Sequence, residues 1–343
     1  MSRHFVRMTK GRSIPACRQQ QGVALIVALL VLAIATGLAA TMIVRNQNAI
    51  GTTSALINGA RADELASSAL VLAQALLDRD DRHVDGPADS WAQPLTGIPV
   101  DAATMSLRVI DLQGRFNLNS LITTEDKVDL VAKTRFQHLL SALHIQTDIS
   151  NALIDWISRN PNLEPLSQTS TPDTPFVPAG RPMQSVTELR ALPGVTPDIY
   201  RRLAPYVTAL PIGTPINLNS APSPVLIALG ADRLSTGGQV GQGVSQDASP
   251  SVGPAVDNLG QAGSTIRQNI GSVANFLAQP LFGGKTVPAE GLAVNSGYFL
   301  CVVTVHLDTV IRRRYAIIER PMTGPSRIIA LSSEACLNGF YCL

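Results

Sequence analysis

Charge is scarce in this chain of 343 residues: Asp, Glu, Lys and Arg make up 15% of it, against 45% hydrophobic residues. Its 27 Lys and Arg outnumber 25 Asp and Glu by only two, which excludes the large basic excess of a general nucleic-acid binder. Four cysteines exclude a disulfide-dense scaffold. Acids are missing altogether from residues 1–22, where Arg3, Arg7, Lys10, Arg12 and Arg18 stand unopposed. Catalytic motifs are missing too. No HExxH, GxSxG or phosphate-binding GxxxxGK(S/T) occurs, and His83, His138, His144 and His306 lie far apart, so nothing here reads as an enzyme. With 23 Pro and 26 Gly the chain is rich in loops, and its length allows two domains of ordinary size.

What the basic stretch leads into is VALIVALLVLAIATGLAATMIV, Val23 to Val44, 22 residues without a charge and with only Thr36 and Thr41 as hydroxyls. A helix of that length rises about 33 Å, enough to cross a bilayer core. The basic residues before it favour an N-in, C-out orientation. Its end, MIVRNQNAIG, offers no small-x-small cleavage site, so an anchor is expected and not a secretory signal peptide. Leu56, Ala60, Ala69, Leu70, Ala73, Leu76 and Leu77 recur at spacings of three and four, which continues the helix as an amphipathic one to about residue 80. The run DRDDRHVDGP then stops it.

Gly22 stands at the polar-to-apolar boundary, directly before Val23-Ala-Leu-Ile. This resembles the leader of type IV pilins and type II secretion pseudopilins. The resemblance implies that a prepilin peptidase cuts between Gly22 and Val23, removes residues 1–22 and leaves Val23 as the modified, methylated N-terminus. Those families usually carry Glu at the fifth mature position; here it is Val27. A carboxylate buried among membrane helices needs a cation, and a neighbour's freed amine is the obvious one. A subunit without the Glu can receive such a carboxylate but cannot offer one, which suits the end of a filament.

Beyond a loop expected at 78–100, the alternation of Met105, Leu107 and Val109 predicts a strand over 104–112. A lone strand is unstable, and the next strand-like runs are 298–307, 313–320 and 327–332. The order implies an α+β fold: a long N-terminal helix on a small antiparallel sheet, with a mostly helical domain inserted between the first strand and the C-terminal strands. The expected division is a leader at 1–22, a long helix at 23–80, a β part at 81–112 and 271–343, and an insertion at 113–270. Within the insertion, Thr123-Thr124-Glu125-Asp126 reads as the cap of a first helix, and a second spans about Asp148 to Ser158. Ser185-Val-Thr-Glu188 reads as a capping box opening a short helix to Leu192, and Thr196-Pro197 starts another that reaches about Val207. Residues 232–270 are Gly, Ser, Gln and Pro rich and are expected to be flexible. Asn117-Leu-Asn119-Ser returns 100 residues later as Asn217-Leu-Asn219-Ser, and structural side-chain hydrogen bonding is the expected role of these Asn.

Cys301 falls in a strand as a small core residue. Cys336 and Cys342 flank an Asn338-Gly339 turn signal and either close a small disulfide or stand as a free pair. The segment 185–207 has helix-hairpin-helix character, a shape that binds DNA phosphate through hairpin amides. Pro197 removes one amide and the net charge of 181–207 is only +2, so packing is the expected use.

DLQGRFNLNSL (111–121), ALIDWI (152–157), RPMQSVTELRALPGVTPDIYRRLAPYVTALP (181–211), TPINLNSAPSPVLIAL (214–229), VANFLAQ (273–279) and SGYFLCVVTV (296–305) follow in order behind the leader. Together they resemble the K-type minor pseudopilins of type II secretion systems. The resemblance implies a pilin fold with a helical insertion, a single inner-membrane span with the bulk of the chain periplasmic, and a place at the pseudopilus tip. It implies minor pseudopilins I and J as partners, with major pseudopilin G and pseudopilin H as further neighbours and the prepilin peptidase as processing enzyme; no nucleic acid is expected. It also implies calcium, held here by Asp155, Glu164 and Asp173, although the stretch after Asp155-Trp156 has few acids where the family is acidic. The competing reading is a membrane-anchored helix-hairpin-helix DNA receptor of the competence type.

Overall fold

The computed structural model describes residues 21–158, 178–231 and 269–333. The chain forms two compact units, divided between Asn58 and Gly59.

The first unit is the N-terminal part of helix α1 (Gln21–Arg79), which runs unbroken through Gly22. Val23 to Val44 are exposed apolar or small side chains, and the helix is long and apolar enough to cross a membrane. The Thr36 hydroxyl donates to the Leu32 carbonyl at 2.9 Å and Thr41 to Leu38 at 2.8 Å. Both hydroxyls are thus satisfied within the helix, as a hydrocarbon surrounding requires.

The second unit begins with the end of α1, whose stripe Ala62, Ala66, Ala69, Ala73 with Leu70 and Leu77 is buried on a sheet. Small side chains let the helix backbone approach the sheet closely. The sheet contains β1 (Leu95–Val100), β2 (Ala103–Asp111), β7 (Tyr298–Leu307), β8 (Val310–Glu319) and β9 (Arg327–Ser332) in that spatial order, all antiparallel. Alternate residues of β2, β7 and β8 (Met105, Leu107, Val109, Phe299, Cys301, Val303, Val305, Ala316, Ile318) meet the helix. Trp91 sits edge-on to Phe299 at 5.0 Å. Cys301 is buried and free. β1 lies inside the stretch expected to be loop. Gly97 at φ +67°, Pro99 and a register shift between Leu95 and Ile98 break the alternation that would have revealed it.

The insertion leaves the sheet at Asp111 and returns at Tyr298, and Asp111 is the cross-strand partner of Phe299. Between them lie β3 (Phe116–Asn117), α2 (Leu130–Ala142), α3 (Ile149–Ile157), α4 (Pro197–Leu203), β4 (Val207–Thr208), β5 (Ile216–Asn217), α5 (Ser223–Ala228), α6 (Val273–Leu277) and β6 (Leu292–Ala293). Their apolar faces share one core that includes Phe116, Phe136, Leu153, Leu189, Leu203 and Leu226. Phe276 and Phe282 join the same core, so its packing continues past residue 270.

Local signals hold with small corrections. Asp129, not the Thr123–Asp126 run, caps α2, its carboxylate accepting from the Ala132 amide at 2.9 Å. The Ser185–Glu188 capping box is formed, but it opens a 3-10 turn, Val186–Ala191. Thr196 caps α4, which ends at Leu203 and tightens into a 3-10 turn at Ala204–Tyr206, four residues short of the expected end because Pro205 withholds its amide.

Candidate functional site

The insertion is tied together by the repeated Asn-Leu-Asn-Ser, and one of its four Asn reaches the join with the sheet. In the first copy the Asn119 amide donates to the carbonyls of Met183 (2.9 Å) and Leu210 (2.8 Å), and its oxygen accepts from Met183 N at 2.7 Å. Asn117 accepts from Leu210 N at 3.0 Å and donates to Pro211 O at 2.9 Å. In the second copy Asn219 donates to the carbonyls of Ile270 (3.2 Å) and Val294 (3.3 Å) and accepts from Ile270 N at 3.0 Å. Each copy also carries a two-residue parallel pairing, β3 with β4 and β5 with β6. The sequence repeat is therefore a structural repeat, and three of its four Asn side chains are spent on backbone. The two copies touch at Gly114, where a Cβ would lie 2.5 Å from the Ser220 carbonyl oxygen, so only Gly fits.

Asn217 faces a buried polar node instead. Its amide nitrogen lies 2.9 Å from Asp111 Oδ2, 2.9 Å from Ser296 Oγ and 3.1 Å from the Asp85 carbonyl. Ser296 Oγ donates to the same Asp111 oxygen at 2.7 Å, and Ser296 N donates to Asp85 at 2.8 Å. Arg320 pairs with Asp85, reaches within 3.6 Å of Asp80, and stacks over the Phe299 ring at 4.8 Å. Burial raises the Asp111 carboxyl, with Ser296, Ser220, Gln113 and Asn217 opposing. Burial also pushes Asp85 up to about 6, against the pull of Arg320 and the Ser296 amide. At neutral pH Asp85 is thus ionised opposite a guanidinium. One small volume thereby ties together the segment after α1, the end of β2, β5 of the insertion and the ends of β7 and β8. In the sequence DRDDRHVD reads only as a helix stop, and nothing local announces this node, because its counter-charge lies 235 residues away.

Asp80, Asp85 and Asp89 bring carboxylate oxygens within 4.8 Å of one another, close enough for a divalent cation. These oxygens already have work: Asp80 accepts from Trp91 Nε1 at 2.9 Å, and Asp89 from Gly86 N at 2.8 Å, while Arg320 supplies positive charge beside them. Of the residues expected to hold calcium, Asp155 is buried in the last turn of α3, not solvated, and Glu164 and Asp173 lie outside the described residues. Cys336, Cys342 and most of the 232–270 segment also lie outside them. Val23 and Val27 are exposed on α1, with Gly22 in its first turn.

The helix-hairpin-helix segment is turned to packing. Val186, Leu189, Leu192 and Leu203 are buried in the insertion core. Its cations are engaged: Arg181 with Glu188, Arg201 and Arg202 with Asp198, Arg190 over the Tyr200 ring. That leaves little for a phosphate backbone, which demands several free cations.

A family model described as "Type II secretion system (T2SS), protein K" matches residues 114–212, the stretch holding the first Asn cradle and the hairpin. The chain is similar to type II secretion system protein K of Pseudomonas aeruginosa, 35% identical over 232 residues, covering 62% of this chain and 68% of that protein. It is similar to the Aeromonas hydrophila protein of the same name, 33% identical over 247 residues, covering 64% of this chain and 74% of that one. In fold it resembles a chain in the crystal structure of the GspK-GspI-GspJ complex of enterotoxigenic Escherichia coli, with a TM-score of 0.58 and 24% identity. That likeness covers 84% of this chain and 99% of the other.

Proposed function

The chain belongs to the type II secretion system protein K family, and from that premise we propose that it is a minor pseudopilin at the tip of the periplasmic pseudopilus. Its work there is assembly, not catalysis: it starts the filament, limits its length and so serves export of folded proteins across the outer membrane. The observation that carries the proposal is the mass inserted between β2 and β7, held together by two Asn cradles and fastened to the sheet where Asn217 meets Asp111 beside the Asp85–Arg320 pair. A rigid body of that size at one end of a pilin sheet obstructs addition of a further subunit.

Prepilin peptidase would remove residues 1–22 and leave the Val23 amine free for methylation and for a partner's carboxylate; Val27 offers none in return. Removing the leader takes away five basic residues and no acid, leaving 22 basic against 25 acidic residues, a net of −3. Residues 23–44 would span the inner membrane once, with the leader cytoplasmic and the rest periplasmic. The solved relative was crystallised with I and J proteins, and we extend those partners to this chain, with G beneath and H nearby. The domain division is 23–80 for the helix, 81–112 with the C-terminal strands for the β part, and an insertion from 113 that runs past the expected boundary at 270, since Phe276 and Phe282 share its core. Asp155 with Glu164 and Asp173 is the candidate calcium set, three carboxylates where Ca²⁺ takes about six to eight oxygens.

The test is intact mass after co-expression with a prepilin peptidase. Loss of residues 1–22 and gain of a methyl group are expected, with Gly22→Ala staying full length in the membrane. A wild-type chain that keeps its leader overturns the proposal.

A further inference from the structure

On the sheet face turned away from α1, Thr96, Ser106, Arg108, Thr304, His306 and Arg313 line an open groove of about 280 Å³. One end of this face is covered by the insertion, where Leu112 and Leu210 pack on Leu300, Tyr315 and Ile317. The remainder is left open. Ser106, Thr304 and Arg313 stand side by side across β2, β7 and β8, and Arg108, Val302 and Tyr315 form the adjacent outward row. The strands carrying Arg108 and Arg313 are two spacings apart, about 10 Å.

These two arginines differ from the others of the sheet. Arg314 reaches Asp63 at 2.8 Å and Arg312 the same carboxylate at 3.7 Å, Arg320 is paired with Asp85, and Arg327 with Glu319 at 2.5 Å. Arg108 and Arg313 meet no carboxylate among the described residues, and no acidic side chain lines the groove. A guanidinium presents a fork of N–H donors that matches a carboxylate, and two of them flanking a hydroxyl-lined trough leave that chemistry unused. The sign is also opposite to the net charge of the chain without its first 22 residues.

We propose that this groove receives an acidic, extended segment of a partner protein, its carboxylates pairing with Arg108 and Arg313. A nucleic acid is disfavoured because the groove offers two guanidiniums but no exposed aromatic face for a base, Tyr315 being buried. The proposal stands on this face alone and does not depend on a place at a filament tip.

The experiment is fluorescence anisotropy with a labelled hexa-glutamate peptide and the full chain in detergent. Binding should weaken about tenfold or more in Arg108→Gln/Arg313→Gln, further in Arg108→Glu/Arg313→Glu, and fall as salt rises from about 50 to about 300 mM. Reversal of Arg201 and Arg202 should leave it unchanged. Three results would overturn the idea: no binding by the wild type, equal binding by the Gln pair, or tighter binding of a single-stranded oligonucleotide than of the peptide. The Gln pair keeps size and polarity, so the comparison survives if charge reversal disturbs the fold.

Discussion

Asn119 holds three backbone groups at once, and its deletion would orphan the Met183 amide together with the Met183 and Leu210 carbonyls in a buried setting. Stranded buried polar groups cost about 1–3 kcal/mol each, so Asn119→Ala is expected to lower stability by about 2–4 kcal/mol. Asn219→Ala should fall in the same range. Urea unfolding of the detergent-solubilised chain measures both, and an unchanged midpoint would return these side chains to a ligand role. Asp85 gives a pH signature. Its folded carboxyl lies near 6 while a free one lies near 3.8, so folding takes up a proton between those values. The contribution of this group to stability is therefore greatest below about pH 4 and is lost as pH rises through about 6. Relative to Asp85→Asn, the wild type should gain up to ~3 kcal/mol as pH falls from about 7 to about 4. A difference that stays constant over that range would contradict the assignment.

At the scale of elements, the seam between α1 and the sheet depends on residues that are small. Ala69 is buried against the sheet, whereas Val71, two positions on, is mostly exposed. Ala69→Leu should force helix and sheet apart and cost about 1–3 kcal/mol, while Val71→Leu should stay within about 0.5 kcal/mol, both read by thermal unfolding. How legible such elements were depended on how cleanly their pattern repeats. The alternation at 104–112 announced β2, observed at Ala103–Asp111, and Thr196-Pro197 announced α4. β1 was illegible because Gly97 and Pro99 interrupt it and its partner strand, not its own sequence, keeps it extended. Asp129 does not stand out as a cap because Thr123–Asp126 offers the same chemistry earlier, yet there the chain makes a turn, with Asp126 at φ +59°. The Asn repeat was visible at once, but its partners Met183, Leu210, Ile270 and Val294 lie 51 to 91 residues away, and no local pattern names them.

For the molecule as a whole, the order of strands carried the architecture: one early strand and three late ones can form a sheet only around an insertion. The site that fastens the insertion was hidden, since Asp85, Asp111, Ser296 and Arg320 are unremarkable singly and meet only after folding. Their meeting follows from the pairing of Asp111 with Phe299. Because exit and re-entry sit on neighbouring strands, the sheet treats everything between them as the tip of one hairpin. Lengthening a loop adds only about 0.6 kcal/mol per doubling, so the sheet tolerates length in the tip while Asn217 and Leu210 keep their contacts with it. The tip can therefore be enlarged without shifting a strand register. The same doorway makes the insertion a natural point for grafting a foreign domain onto the sheet.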